Sequence, residues 1–523
     1  MSRERKNEVF RKDIHMVRYC RPLMVLCIFF TVLAAGLPGL ANAQDSPLNL
    51  TLSQAIKMAV EKNLDVKAEL YNSASAEADI RGNMGIYDPL LTLLANYQES
   101  NILASSVFIS GTPVSRQREL EYNAGINQLI PFGGTLGLTF DNLWNRNNSD
   151  PTRFLNKYYQ SDLTLSFKQP LLKNFGREAT ELNIEVAKYN KVGALEQFKT
   201  KLTDIVSQVR IQYSLLYSLR ENLEVKKTSL ALAERILNDT QAQVRAGVLP
   251  AMEILNAQFG VATMQKNLID AERALKDQVD VLRVLLQLPI GQEILPIDIP
   301  YQDKYEVEES ATIKKALEER PELRQLRITM KTSELETRVA RNQTLPDLSL
   351  NLSTAFTGLG KEYSRDLERV GSGKYPVWGG GLQLTYPIGN RAAENTYIKS
   401  KLKTEQVQTQ VRSLEDTVIN DVRNAIRAMQ SSYKQLDVTS RGSAYAEQRL
   451  QAYIKKQKVG LATNKDVLDV ENDLVTAKGN QIQALADYNN AITALWKASG
   501  ELLPREGINV TEKDADALYK KNR

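Results

Sequence analysis

The chain has 523 residues, and its 67 Lys and Arg nearly balance its 62 Asp and Glu. Both cysteines (Cys20 and Cys27) and the only histidine (His15) fall within residues 1–43, together with 7 basic and 3 acidic residues, so the remainder has 60 cations, 59 anions and neither Cys nor His. If residues 1–43 are removed, disulfides, a lipidated N-terminal Cys, Cys/His zinc sites and His-based acid–base catalysis are excluded, and near-neutral charge argues against nucleic-acid binding.

Residues 1–43 have the three parts of a secretory signal peptide. A basic region is followed by a short apolar stretch, Leu23–Ala35, and by the small residues Ala41–Ala43 before Gln44. The alternative is an uncleaved membrane anchor, but the apolar run has about 13 residues and a spanning helix needs about 20. No later segment approaches that length, so we predict no membrane-spanning helix in the mature chain.

The rest of the chain consists of two tandem copies of one unit. "AIKMAVEKNLDV" (Ala55–Val66) aligns with "TIKKALEERPEL" (Thr312–Leu323) at an offset of 257, and Gly247 aligns with Gly460 at an offset of 213. The first copy therefore has 44 more residues, which lie between Pro89 and its long helix. Internal repetition of this kind predicts a first repeat at 44–300, a second repeat at 301–503 and a C-terminal tail at 504–523.

Each copy is predicted to contain a very long helix that turns back at a glycine. Between Gly176 and Gly247 the residues are mostly good helix formers, and apolar residues recur at steps of three and four. About 71 residues at 1.5 Å each make a rod of roughly 107 Å. We predict long helices at about 176–246 and 389–459, tips at 247–250 and 460–464, and return helices that end near 288 and 499.

The return helices are too short to match the long ones alone. The segments Ser53–Asp88 and Ala311–Leu345 begin the two copies and are helical in pattern. Added to a return helix of about 40 residues, either one approaches the length of the long helix, so we predict that two helices stack end to end in each returning rod. Gly247 and Gly460 suit the left-handed backbone at a helix end, and Pro250 is expected in the first turn of the next helix.

Between the helices the apolar pattern switches to a period of two, as in "DLSLNL" and "TLGLTF". We predict strands at Leu90–Gln98, Tyr122–Ile130, Thr135–Leu143 and Ser161–Lys168 in the first copy, and at Asp347–Leu352 and Leu382–Tyr386 in the second. "PFGG" (Pro131–Gly134) is predicted as a hairpin turn, and Gly358–Pro376 as a loop. Alternation alone fits a half-buried soluble sheet; with a signal peptide and adjoining rods, it favours a transmembrane β-barrel.

Together these features resemble the TolC-like outer-membrane efflux protein family. The resemblance spans Leu50 to Leu502. It rests on the two copies in order, the Pro before each first strand, and four local motifs: "QPLLKNFGRE", "YPIGNR", "RAGV" and "KVGL". It implies a mainly α fold with a β-barrel portion, two tandem repeats, and a homotrimer whose strands form one barrel in the outer membrane. The helices would form a tunnel across the periplasm.

The resemblance also implies a function and partners. The chain would be the exit duct of a tripartite efflux or type I secretion system, working with a periplasmic adaptor protein and an inner-membrane transporter of the RND, ABC or a similar class. It would contact outer-membrane lipid and use no cofactor, catalytic residue, metal or nucleic acid. Family members usually supply four strands per protomer. Six would give a barrel of roughly 18 strands, unless the extra hairpin, within Tyr122–Leu143, folds outside it.

Two sets of candidate site residues lie at the tips. Asp466 and Asp469 are three apart on one helix face. They are either solvated carboxylates at a helix start or, as the resemblance implies, a ring that constricts the periplasmic entrance. The first copy has Glu253 and Asn256 there, and Ala462 replaces an Arg of the best-known family member. The second set is predicted to dock the adaptor or to be purely structural: Ala246, Gly247, Val248, Val459, Gly460 and Leu461.

Two other classes of protein compete with the duct. One is a periplasmic helical-hairpin adaptor or scaffold without a pore, which would be water-soluble. The other is an enzyme, for which "TGLGK" (Thr357–Lys361) is the only hint, and that motif lacks the first glycine and the final Ser or Thr of a phosphate loop. "GGG" (Gly379–Gly381) is expected where a strand begins. The sequence leaves the cargo open among drugs, metals, polysaccharides and polypeptides.

Overall fold

The computed structural model describes residues 48–103, 112–148 and 155–522. The predicted signal peptide, residues 1–43, lies outside these ranges. The helices described are α1 (Leu52–Lys62), α2 (Leu64–Met84), α3 (Arg177–Thr180), α4 (Leu182–Arg245), α5 (Met252–Leu286), α6 (Glu309–Glu319), α7 (Pro321–Asn342), α8 (Tyr363–Gly371), α9 (Arg391–Lys458), α10 (Asn464–Ala498), α11 (Leu502–Arg505) and α12 (Glu512–Asn522). Among them we find none with the length and apolar character needed to cross a bilayer.

The strands are β1 (Leu48–Leu50), β2 (Leu90–Leu103), β3 (Val114–Leu129), β4 (Thr135–Asn147), β5 (Lys157–Pro170), β6 (Ile294–Pro296), β7 (Asp347–Gly360) and β8 (Pro376–Thr385). β1 and β6 form a short parallel pair. The other strands form one antiparallel sheet in the order β2-β3-β4-β5-β7-β8. The hairpin β3–β4, which only the first repeat has, is therefore part of the main sheet.

The two long helices dominate the molecule. α4 has 64 residues and α9 has 68, so at 1.5 Å per residue they span about 96 and 102 Å. The first is shorter than predicted because Glu181 interrupts it after α3. The buried carboxylate of Glu181 accepts hydrogen bonds from Tyr87 Oη, at 2.9 Å, and from Arg177 Nε, at 2.7 Å. Through Tyr87 these bonds tie the start of α4 to the turn after α2, and through Arg177 they tie it to α3.

The returning rods are stacked helices, as predicted, but each starting segment is broken in two. In the first repeat the break falls at Asn63, whose Oδ1 accepts the N–H groups of Asp65 and Val66 and so caps α2. Its Nδ2 donates to the Leu285 carbonyl at the end of α5, at 3.1 Å. In the second repeat the break falls at Arg320, directly before Pro321. Gly500, just beyond α10, packs against that break.

Each long helix packs along its whole length against the stacked pair of helices that forms the returning rod of its own repeat. α4 packs beside α2 near the sheet and beside α5 near the tips, and α9 packs beside α7 and then α10 in the same way. Contacts of α4 with α7 and with α10 join the two repeats. The order across the protomer is therefore α2–α4–α7–α9 near the sheet and α5–α4–α10–α9 near the tips. Buried Val, Leu, Ile and Ala side chains fill the seams.

Two other expectations need correction. Residues 361–375 are not only a loop, because α8 lies between β7 and β8. The "GGG" motif lies in the middle of β8 rather than at its start. The expected tail, 504–523, contains the end of α11 and all of α12, and α12 packs against α2. There, Lys191 Nζ lies 2.7 Å from Asp516 Oδ1 and 3.0 Å from Glu77 Oε2.

Candidate functional site

The six-stranded sheet has one apolar face and one polar face. Its apolar face carries cross-strand apolar pairs, as between β4 and β5: Leu136–Phe167, Leu138–Leu165 and Phe140–Leu163. The positions between them hold Thr, Ser, Asn, Asp or Gly side chains, as at Gly137, Thr139 and Asp141, which face Ser166, Thr164 and Asp162. Strands of 13 to 16 residues in this central hairpin exceed the 9 to 11 that cross a bilayer. A sheet of this kind suits lipid on one side and water on the other.

Within the described residues, the six-stranded sheet has an unpaired strand at each of its two lateral edges. β2 and β8 are the edge strands, and nearly all of their residues are exposed. The helices that continue these edges, α2 and α5 on one side and α9 on the other, have exposed large apolar side chains: Met252, Leu255, Phe259 and Ile269 on α5, and Ile398, Leu402, Val438 and Tyr445 on α9. Unpaired strand edges are templates for another chain. Two different edges joined head to tail close into a ring.

Both tips have the same type of turn, centred on Gly247 in the first repeat and on Gly460 in the second. At the second tip the Gly460 N–H donates to the Gln457 carbonyl at 3.0 Å, and the Leu461 N–H donates to the Lys456 carbonyl at 2.9 Å. Gly247 and the residue after it repeat both bonds at the first tip. The two glycines have φ of +74° and +78°. This is the Schellman helix ending, and it confirms the left-handed glycines predicted from the sequence.

The tips differ in how the next helix begins. α5 begins at Met252 with Ala251 as its N-cap, so the expectation that Pro250 lies in its first turn is wrong. α10 instead begins with a capping box. Asp466 Oδ2 accepts the Thr463 N–H at 2.8 Å and the Thr463 hydroxyl at 2.7 Å, while the Asp466 N–H donates back to Thr463 Oγ1 at 3.1 Å. These bonds from the Thr463 backbone and side chain hold the pKa of Asp466 below its ordinary value.

Asp469 lies one turn along α10 and is exposed. With Asn472 and Asn256 it lines a groove between α10 and α5. In the first repeat, Asn256 Nδ2 lies within 3.4 Å of Glu253 Oε2, on the exposed side of α5. The two predicted gate residues therefore share one helix, but one of them also caps that helix.

All six predicted docking residues are exposed at the tips. Val248 has 70 % of its surface exposed and Leu461 has 77 %. The sequence reading missed three apolar neighbours on α5, Met252, Leu255 and Phe259, which extend this exposed surface along the helix. Their spacing of three and four residues was the available signal, but the same spacing also marks buried core.

Two contacts that the sequence reading also missed join the two hairpins near the tips. Asn464 is buried, and its Nδ2 donates to Thr240 Oγ1 on α4 at 2.7 Å. Further along, a Cβ at Gly260 would lie 2.9 Å from a methyl group of Leu468, so this glycine lets α5 and α10 approach closely. No local motif marks either contact, because each joins residues more than 200 positions apart.

A family model for outer membrane efflux proteins matches residues 55–286 and 312–501. The chain belongs to the outer membrane efflux protein family. The two matched segments correspond to the two repeats, and membership places the protein in the outer membrane, with its helices in the periplasm. The recognition made from the sequence is therefore confirmed, as is the mainly α fold with a β portion.

Relatives in this family are distant in sequence. The chain is 24 % identical over 311 residues to the pyoverdine export outer membrane protein OpmQ of Pseudomonas putida, a match that covers 58 % of this chain and 63 % of OpmQ. It is 23 % identical to the toluene efflux pump outer membrane protein TtgF of Pseudomonas putida, over 65 % of this chain and 69 % of TtgF. The chain thus matches slightly less than two thirds of OpmQ.

The fold is shared with solved channels of the same type. The outer-membrane channel OprN superposes with a TM-score of 0.64 at 15 % identity, covering 86 % of this chain and 90 % of OprN. The arrangement of helices and strands is therefore that of a known outer-membrane channel. Family and fold are those of channel proteins rather than enzymes.

Proposed function

We propose that the protein is the outer-membrane exit duct of a tripartite efflux or type I secretion system, a passive conduit built from three copies of the chain. The observation that carries this proposal is the match between the two lateral edges. Within the described residues, one side of the sheet ends in the unpaired strand β2 of the first repeat and the other in the unpaired strand β8 of the second, and α5 and α9 expose apolar side chains on the corresponding sides of the helical part. Pairing β8 of one protomer with β2 of the next removes every strand edge, as a structure in lipid requires.

Three protomers with six strands each would give a barrel of 18 strands, compared with 12 for protomers of four strands. Because barrel diameter grows roughly linearly with strand number, the pore in the membrane would be about 1.5 times wider. The position of β3 and β4 in the middle of the ladder supports the wider barrel over a hairpin folded outside it.

The partners follow from the same proposal. A periplasmic adaptor would bind the six tip residues, Ala246, Gly247, Val248, Val459, Gly460 and Leu461, and an inner-membrane transporter would supply the energy. The exposed apolar side chains on these turns support docking, because water-exposed tips gain nothing from them. Asp466 and Asp469 would form a ring of six carboxylates that narrows the entrance and attracts cations. The cargo is proposed only as far as the relatives' names suggest, a small exported molecule.

Disulfide trapping tests the ring. The chain beyond residue 43 has no cysteine, so pairs can be introduced without background. We would combine Leu93→Cys on β2 with Leu382→Cys, Gly380→Cys or Trp378→Cys on β8, all on the apolar face. The expected result for the pair in register is a ladder on denaturing gels that stops at three protomers. The control combines Leu93→Cys with Leu138→Cys on the central strand β4 and should give no ladder.

The same preparations should conduct ions in planar bilayers. A protein that stays monomeric and water-soluble, with no ladder from any β2–β8 pair, would favour the adaptor or scaffold and contradict the duct.

A further inference from the structure

Charges on the sheet are sorted by face. Four cations lie on the apolar face, near the strand ends that are far from the helices: Arg116, Arg118, Arg146 and Lys157. In the described strands the only carboxylate on that face is Glu99. The polar face has the opposite sign, with Glu119, Glu121, Asp141, Asp162 and Asp347 against Lys168. Cations that served the conducted cargo would be expected on the polar face.

The register brings three of these cations into one row. Arg118 lies directly opposite Arg146, and Arg146 lies directly opposite Lys157. Like charges in direct cross-strand pairs destabilise a sheet. Glu99 relieves only one end of the row, with its Oε1 3.1 Å from an Arg118 Nη. Within the part of the chain that the structure describes, no carboxylate pairs with Arg146 or Lys157, so the row has excess positive charge that an external anion would neutralise.

The row stands just beyond an aromatic belt. Trp144 and Tyr159 are cross-strand partners on the apolar face, with Trp144 two residues before Arg146 and Tyr159 two residues after Lys157, so both lie one step nearer the helices than the cations. Aromatic residues ring a membrane barrel where hydrocarbon meets the headgroups. The helices join the opposite strand ends, so this belt faces the outer leaflet rather than the periplasm. At this depth the cations meet lipid headgroups.

Helix α8 is fixed on the same face beside the belt. The Ser161 hydroxyl donates to Asp366 Oδ2 at 2.5 Å, and the Ser161 N–H donates to Asp366 Oδ1 at 3.2 Å. Gly358 lies beneath the helix, where a Cβ would collide with the Asp366 carbonyl oxygen. Gly358 and Gly360, the two glycines of "TGLGK", therefore let α8 pack closely against the sheet. α8 also carries Arg365 and Arg369, whose charges are balanced within the helix by Asp366 and Glu368, so the excess positive charge on this face comes from the strands.

We propose that Arg118, Arg146 and Lys157 bind the phosphate groups of the phosphorylated glycolipid of the outer leaflet, lipopolysaccharide. Arginine forks and a lysine ammonium are good ligands for phosphate oxygens. A surface on the lipid side of a barrel is reached by membrane lipid before any soluble anion. The proposal rests on the duct function only in that the apolar face must be the lipid-facing wall.

The test uses the full-length trimer in detergent and native mass spectrometry. The probe is a short-chain lipopolysaccharide with two phosphates, compared with the same glycolipid after dephosphorylation and with inorganic phosphate as competitor. Arg146→Gln/Lys157→Gln should weaken binding about 25-fold, taking about fivefold for each cation near an anionic surface. The matched control, Lys168→Gln/Lys173→Gln, removes two lysines at the periplasmic end and should bind like the wild type.

Equal binding by the wild type and the Arg146→Gln/Lys157→Gln variant, or equal binding of the phosphorylated and dephosphorylated lipids, would overturn the proposal. So would full displacement of the lipid by millimolar inorganic phosphate, which would show a free-anion site. Trimer formation and bilayer conductance are measured on the same samples. Conducting trimers without lipid discrimination contradict this inference alone, whereas a wild type that neither trimerises nor conducts contradicts the duct.

Discussion

The glycine turn at the second tip allows a substitution whose effect has a predictable sign. Gly460 has φ +78°, and no atom lies within 4 Å of the position that a Cβ would take. Gly460→Ala therefore meets no steric obstacle and suffers only the left-handed backbone penalty, about 1 to 2 kcal/mol for a residue with a Cβ. The two bonds of the turn, from the Gly460 and Leu461 N–H groups, should open more often by the same free energy.

Gly442 supplies the matched control. It lies in the interior of α9, its φ is not positive, and the site of its Cβ is equally open. Gly442→Ala should therefore stabilise the helix by about 0.5 to 1 kcal/mol. The same chemical change thus has opposite signs at two positions of one helical hairpin, and the difference between them is about 2 kcal/mol.

Hydrogen exchange of the trimer, read by mass spectrometry on peptides across 436–470, measures both effects. A penalty of 1 kcal/mol corresponds to exchange about fivefold faster in Gly460→Ala, whereas Gly442→Ala should slow exchange around its own position. Exchange at the tip that is unchanged or slower in Gly460→Ala would show that this residue is not left-handed in the assembled protein. The second tip would then not be a Schellman turn in the assembled protein.

Four further predictions concern the duct. In single-channel recordings, Asp466→Asn/Asp469→Asn should weaken the block of the channel by polyvalent cations. An unchanged block would contradict the proposed role of these two aspartates at the entrance. Leu461→Glu, at a position without backbone strain, should lower transport with an intact trimer, and normal transport would contradict docking. Burial raises the pKa of Glu471, on α10, above 4.5. The fold therefore favours the protonated side chain, and the stability of the tip should fall as pH rises from about 4.5 through the raised pKa. Hydrogen exchange at the tip measures this stability, and Glu471→Gln should make it less dependent on pH. Deleting 113–156 should leave a conducting trimer with a narrower polymer-exclusion limit, and an unchanged limit would contradict the wider barrel.

Much of the fold was predictable because the chain contains two copies of one unit and because its main helices are long. Helices of more than 60 residues give many turns of apolar spacing, so their existence was plain even though Glu181 shortens the first one. The strand positions were also found, but each strand is longer than its alternating segment. Polar residues at the outer strand ends, such as Arg118 and Lys157, still pair in the ladder after the apolar alternation has ended.

From the sequence, candidate site residues could be proposed only where a single segment carries them. Gly460 and the two aspartates of α10 lie within ten residues, and local geometry determines their arrangement. The role of Asp466 as a cap was missed, although "TNKD" satisfies the spacing of a capping box. α8 was read as loop, because nine residues give too little periodicity to separate a short helix from a polar loop.

The sequence by itself determined the repeat, the long rods, the turns at Gly247 and Gly460, and the two-faced strands, because each depends on chain-local periods and on single residues with special backbone freedom. The tertiary structure alone decided which strands are neighbours, which edges stay unpaired and which cations stand in one row. Those facts depend on contacts between residues tens to hundreds of positions apart, as with Asn464 and Thr240, and no local spacing encodes them.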